Sequence, residues 1–66
     1  MASKLELIEE PGSYVILIYD KENIPAMKTF FPYLSQEKRQ EARKKAEDFG
    51  QGMSQNLSLP LENLIN

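Results

Sequence analysis

The 66-residue sequence contains no cysteine, no histidine and no tryptophan. Disulfide bonds are therefore excluded, and the usual ligands of a structural zinc site are missing. The same absences remove the common nucleophile–base pairs of hydrolases, because a catalytic serine needs a neighbour that titrates near neutral pH. We expect a non-enzymatic protein that uses no cofactor and holds no metal.

Long apolar runs are also absent. The longest, Tyr14 to Tyr19, is far shorter than the roughly 20 residues that a membrane-spanning helix needs. The chain does not open with a cationic segment followed by an apolar stretch, so a cleaved secretory signal is not expected. These features predict a cytoplasmic protein without a membrane partner.

The composition is that of a soluble globular chain, with 41% hydrophobic and 27% charged residues and a net charge of −2. No basic field extends over the chain, so binding to nucleic acid by phosphate neutralisation is not expected. We predict a single small domain, residues 1–66. A chain this short hides only about 60% of its unfolded surface. Because disulfides and zinc are excluded, we predict that it is a homodimer at micromolar concentration.

The first third of the chain has patterns typical of β-strands. Residues 4–7 alternate charged and apolar side chains, and residues 14–19 are β-branched, apolar or aromatic. Pro11-Gly12 between them favours a type II turn, which predicts an N-terminal β-hairpin. Because unprimed turns fit the twist of a hairpin poorly, we expect a longer loop or a bulge at this point. The second strand lacks polar alternation, so we expect a helix on one face and a further layer on the other.

The segment after the hairpin is predicted to be a short helical or irregular connector. Asn23-Ile24-Pro25 is typical of a helix start, since asparagine accepts a bond from a free amide and proline is tolerated in the first turn. Residues 26–31 would then form one or two turns. Pro32 would end or kink them.

One long amphipathic helix is predicted from about Gln36 to Gln55, with Ser35 as its N-cap. Its apolar stripe predicts that Phe49 and Met53 are core residues. Gly50 and Gly52 leave open whether the helix instead stops near Phe49. The stripe consists of Ala42, Ala46, Phe49, Met53 and Leu57.

The sequence after the helix, residues 57–66, is too apolar for a solvated terminus. Strand spacing of Leu57, Leu59 and Leu61 favours an edge strand, whereas Ser58 before Pro60 equally favours a short helix. The predicted fold class is α+β, a β-hairpin packed against one long helix, with the connector and this apolar C-terminal tail.

Three aromatic residues form the candidate partner-binding site: Phe30, Phe31 and Tyr33. They lie beside prolines, and irregular backbone cannot turn all of them inward, so at least one ring should be exposed for a partner. The predicted function is a protein-binding or regulatory module.

An alternative function is binding of nucleic acid by the basic residues that flank the helix stripe, with nearby tyrosines for stacking. A third reading takes Asp20, Glu22 and Asn23 as oxygen ligands for magnesium, although their pattern is far more typical of a polar loop that leads to a helix cap. The basic residues are Lys38, Arg39, Arg43 and Lys45.

Overall fold

A computed structural model describes residues 2–65 of the chain. The elements are β1 (Ala2–Glu10), β2 (Ser13–Asp20), β3 (Pro25–Pro32), α1 (Gln36–Leu57) and β4 (Leu61–Asn63). The predicted α+β class and the long helix are confirmed. Met1 and Asn66, the first residue of the predicted domain and the last of the predicted tail, lie outside the described residues. The described chain has no helix that is both long and apolar enough to cross a membrane.

The four strands form one sheet in the order β3-β2-β1-β4. The first three strands are antiparallel neighbours, and β4 lies parallel to β1, where Leu5 pairs with Leu61. The helix connects β3 at one edge of the sheet to β4 at the other. The tail therefore contains an edge strand, β4, which has three residues.

Two tight turns set the register of the antiparallel strands. The predicted longer loop or bulge is wrong, because Pro11 and Gly12 alone join β1 to β2 and Glu10 pairs directly with Ser13. Gly12 has the positive φ of 79° that such a turn demands of one residue. Asn23 takes a φ of 63° between β2 and β3. The Asp20 carboxylate accepts the backbone N–H groups of Glu22 at 2.9 Å and Ile24 at 3.0 Å. The acidic loop considered as a magnesium site therefore has a structural role in this turn.

The predicted connector is wrong, because residues 25–32 form β3, an edge strand. The signal for a helix start at Asn23 was misleading, since Asn23 instead supplies the left-handed residue of a turn. Pro25 and Pro32 stand at the ends of the strand. Proline is tolerated at such positions of an edge strand, where its missing N–H breaks no ladder bond.

The helix packs on the sheet through its small residues. Ala42, Ala46 and Gly50 are buried on the side that faces β1 and β2. A Cβ atom added at Gly50 would lie 2.8 Å from Cδ2 of Leu61 and 3.1 Å from Cδ1 of Ile16. The helix continues through both glycines to Leu57. The close approach of Leu61 and Ile16 explains why position 50 has no side chain.

Larger side chains of the helix flank the contact. Met53 is half-buried against the core. Phe49 is exposed. Its ring packs against the ring of Phe31, and the two ring centroids are 5.5 Å apart. The prediction that Phe49 is a core residue is therefore wrong, since the small residues occupy the centre of the interface. The buried core consists of Leu5, Leu7, Tyr14, Ile16, Ile18, Ala42 and Ala46.

Both ends of the helix are defined by serine. Ser35 has an extended backbone, and its carbonyl accepts the Lys38 N–H at 3.1 Å, but its side chain makes no capping bond. Ser58 is left-handed with φ 55°, and the next N–H, from Leu59, donates to the Ser54 carbonyl at 3.1 Å. Bonds of this kind satisfy the last carbonyls of a helix.

Candidate functional site

One face of the sheet has no helix on it. Because side chains alternate along a strand, the residues that point away from α1 can be read from the strand register. We call this surface the helix-free face. It consists of Lys4, Glu6, Ile8, Glu10, Ser13, Val15, Leu17, Tyr19, Lys28, Phe30, Pro32 and Glu62.

Val15 and Leu17 lie at the centre of the helix-free face and are nevertheless buried, with exposed fractions of 0% and 7%. The described residues contain one helix, and it covers the opposite face. Neighbouring side chains of the sheet must therefore shield them. Within the described residues, these two side chains are hidden from water without a further layer on this face.

Phe30 supplies the largest exposed apolar side chain of the helix-free face, with 53% of its surface accessible. It lies directly across β2 from Ile8, with Val15 between them. Ile8 is half-buried. Phe30 and Ile8 therefore border an apolar strip with a buried floor.

The three aromatic residues predicted as one site lie on two sides of the sheet. Phe30 is on the helix-free face, whereas Phe31 and Tyr33 are half-buried and pack against the core. The Tyr33 ring lies 5.5 Å from the Tyr14 ring. Of the predicted site, only Phe30 is available as an apolar anchor on the helix-free face.

A row of charged residues crosses the helix-free face beside the apolar strip. Across the four strands the row reads Lys28, Leu17, Glu6 and Glu62. Lys28 and Glu62 are exposed and form no ion pair within residues 2–65. The sequence alone did not group Ile8, Lys28 and Glu62, because the face that they share depends on the pairing of β3 and β4 with the hairpin. The two-residue spacing of Lys28 and Phe30, which places both on one face of a strand, was the available signal for this surface.

Glu6 is the centre of a polar cluster at the far end of this face. It accepts a hydrogen bond from the Tyr19 hydroxyl at 2.7 Å, and the ammonium of Lys4 lies 3.4 Å from its other oxygen. The same ammonium lies 4.4 Å from the centroid of the Tyr19 ring. The hydrogen bond to Glu6 raises the pKa of Tyr19 above its usual 10.0. The Tyr19 hydroxyl is therefore protonated at neutral pH and acts as the donor in this hydrogen bond.

A second polar cluster, on the helix side, joins three elements. The Nε and Nη2 atoms of Arg39 donate to the two carboxylate oxygens of Glu9, each at 2.9 Å. Tyr33 donates its hydroxyl to the same carboxylate at 2.6 Å. The Arg39 and Tyr33 hydrogen bonds lower the pKa of Glu9 to about 2. This bidentate pair connects the end of β1 to the first turns of α1.

The Glu9 cluster predicts a loss of stability in acid. Because the folded pKa of about 2 lies below the ordinary 4.5, the unfolded state takes up the proton first as the pH falls. The stabilisation is complete above about pH 4.5 and decreases as the pH falls towards 2. We expect the melting-temperature difference between the native protein and Glu9→Gln to shrink over this range in scanning calorimetry. Glu10→Gln is the control, and an equal decrease for both variants would contradict the assignment to Glu9.

The four basic residues of the nucleic-acid alternative all have carboxylate neighbours. Arg39 is held by Glu9, and Arg43 lies 3.3 Å from Glu47. Lys38 and Lys45 each lie 3.7 Å from Glu41. Their positive charge is therefore locally balanced, which weakens any attraction to phosphate.

The arrangement defines a class: a small α+β protein with a three-stranded meander, a helix on one face and an apolar strip with flanking charges on the other. Comparison with protein families, with curated proteins and with solved structures found no match.

Proposed function

We propose that this chain is a non-enzymatic protein-binding module that acts as a homodimer through its helix-free face. The observation that carries the proposal is the exposure of Phe30 beside Ile8, on the face that no element of the described chain covers. Exposed aromatic side chains on a rigid strand lose little entropy on binding, which makes them effective anchors of interfaces.

The buried floor of the strip adds to this argument. Val15 and Leu17 are already hidden from water, so their contribution to association is shape and rigidity. Phe30, and to a lesser extent Ile8, have the accessible apolar area that a partner would remove from water. The driving force for association is therefore concentrated in one side chain, as is common for interface hot spots.

Nucleic acid is the less favoured ligand. Its candidate residues are paired with carboxylates, and the helix-free face carries more acidic than basic groups: Glu6, Glu10 and Glu62 against Lys4 and Lys28. A face of this charge repels phosphate. Tight binding to mixed-sequence DNA or RNA that weakens steeply as salt is raised would overturn the homodimer proposal in favour of this alternative.

The test is the substitution Phe30→Ala with Met27→Ala as its matched control. Phe30 and Met27 belong to the same edge strand and are 53% and 52% exposed, but Met27 lies on the helix side. We expect sedimentation at micromolar concentration to give a dimer for the native protein and Met27→Ala. Phe30→Ala should give a folded monomer, because an exposed ring contributes little to the monomer core.

Two results would contradict the proposal. One is a native protein that remains a folded 7.6 kDa species at every concentration measured. The other is an equal loss of dimer in both variants, which would move the interface off the helix-free face.

A further inference from the structure

The helix-free face is self-complementary about one particular axis. Its residues form rows across the strands, and two of these rows determine how a second copy can pack on the face. The apolar row is Phe30, Val15 and Ile8, and the charged row is Lys28, Leu17, Glu6 and Glu62. In both rows the central strand β2 contributes an apolar side chain. The charged row has its positive group on the β3 side and its negative groups on the β1 and β4 side.

We propose, resting on the homodimer inferred above, that two copies pack face to face about a two-fold axis that runs along β2. This rotation places each row opposite the same row of the other copy. It also places β3 of one copy opposite β1 of the other. Phe30 of each copy then packs on Ile8 of the other, and Lys28 lies opposite Glu6 of the other, one strand from Glu62. Isologous two-fold contacts of this kind are the commonest in soluble homo-oligomers.

The central strand permits this packing because it places no charge on the axis. The residues of β2 on the helix-free face are Ser13, Val15, Leu17 and Tyr19. Each would lie opposite the same residue of the other copy, and none of them carries a charge at neutral pH. A charged side chain at any of these positions would meet a like charge, which is unfavourable in an interface.

The other aligned arrangement is excluded by the same rows. A two-fold axis perpendicular to the strands, between the two rows, would place Lys28 on Phe30 and Glu6 on Ile8. Charged groups would then be removed from water against apolar side chains without a partner, at a high cost in free energy. The axis along β2 instead brings Lys28 of one copy near Glu6 and Glu62 of the other, and neither Lys28 nor Glu62 forms an ion pair within residues 2–65.

Charge reversal tests the axis without disturbing the monomer, because Lys28 and Glu62 are exposed. Lys28→Glu alone would add a third negative group beside Glu6 and Glu62 at both ends of the charged row, and Glu62→Lys alone would add a second positive group beside Lys28 and Glu6. We expect each variant to dimerise roughly tenfold or more weakly than the native protein. In an equimolar mixture of the two variants, the mixed dimer should form more tightly than the geometric mean of the two variant homodimers, since both of its contacts between positions 28 and 62 again join opposite charges.

Lys44→Glu and Asp48→Lys are the controls, since both residues are exposed on α1 and change the net charge by the same amounts. They should leave the dimer unchanged, alone or mixed. Sedimentation equilibrium of the four variants and the two mixtures gives the dissociation constants. Failure of the mixture to recover affinity, or an equal effect of the controls, would overturn the axis.

The outcomes separate the axis from the proposed function. If Phe30→Ala dissociates the dimer while the variants at Lys28 and Glu62 match the controls, the helix-free face remains the interface but the axis is wrong. If the native protein is monomeric, the proposed function itself fails.

Discussion

Leu7→Ala is expected to remove about 2–5 kcal/mol from the free energy of unfolding, whereas Leu34→Ala should leave it almost unchanged. The two variants lose the same atoms. Leu7 has no exposed surface and belongs to the core between β1 and α1, while Leu34 is fully exposed after β3. A domain of this length has about 3–10 kcal/mol of stability in total. Leu7→Ala should therefore leave a large unfolded fraction at 25 °C.

Urea denaturation followed by circular dichroism, at one fixed protein concentration, measures this difference. The concentration must be fixed because association would add to the stability of every variant. A common urea midpoint for Leu7→Ala and Leu34→Ala would show that the inward side of β1 is not the core.

Gly50→Leu is expected to destabilise the protein by about 1–3 kcal/mol, and Gly52→Leu to stabilise it by up to about 1 kcal/mol. Both substitutions improve the helix propensity equally. At Gly50 even a Cβ atom would overlap Cδ2 of Leu61 and crowd Ile16, whereas at Gly52 no atom lies within 4 Å of the added Cβ. The opposite signs would separate packing from propensity at two positions of one helix.

Thermal unfolding of the two leucine variants provides the measurement. A rise in melting temperature for both would mean that α1 does not approach the sheet closely at Gly50. A fall for both would mean that Gly52 also has a neighbour.

The local patterns predicted the elements whose own residues determine them. Residues 4–7 and 14–19 alternate or cluster in ways that only a strand accommodates, and the stripe of α1 has a helical period over its whole length. Gly50 and Gly52 looked equivalent in the sequence. Their difference lies in Leu61 and Ile16, which approach one glycine and not the other.

The third strand could not be predicted from its own residues. Asn23 before Ile24-Pro25 is compatible with a helix cap and with a left-handed turn, and the choice depends on pairing with β2. Once β3 is paired, alternation separates Phe30 from Phe31, which the sequence places side by side. The candidate site was therefore predicted in part: Phe30 was named, but Ile8, Lys28 and Glu62 needed the sheet register.

The pairing of β4 with β1 has a consequence for the growing chain. Translation delivers β1, β2 and β3 first, then the whole of α1, and only afterwards the three residues that pair with the outer edge of β1. Until then the strand that carries Leu5 and Leu7 has unpaired backbone groups along one side, and such an edge is a template for aggregation. Leu61 to Asn63 therefore also determine for how long each nascent copy has an open strand edge that can pair with another chain.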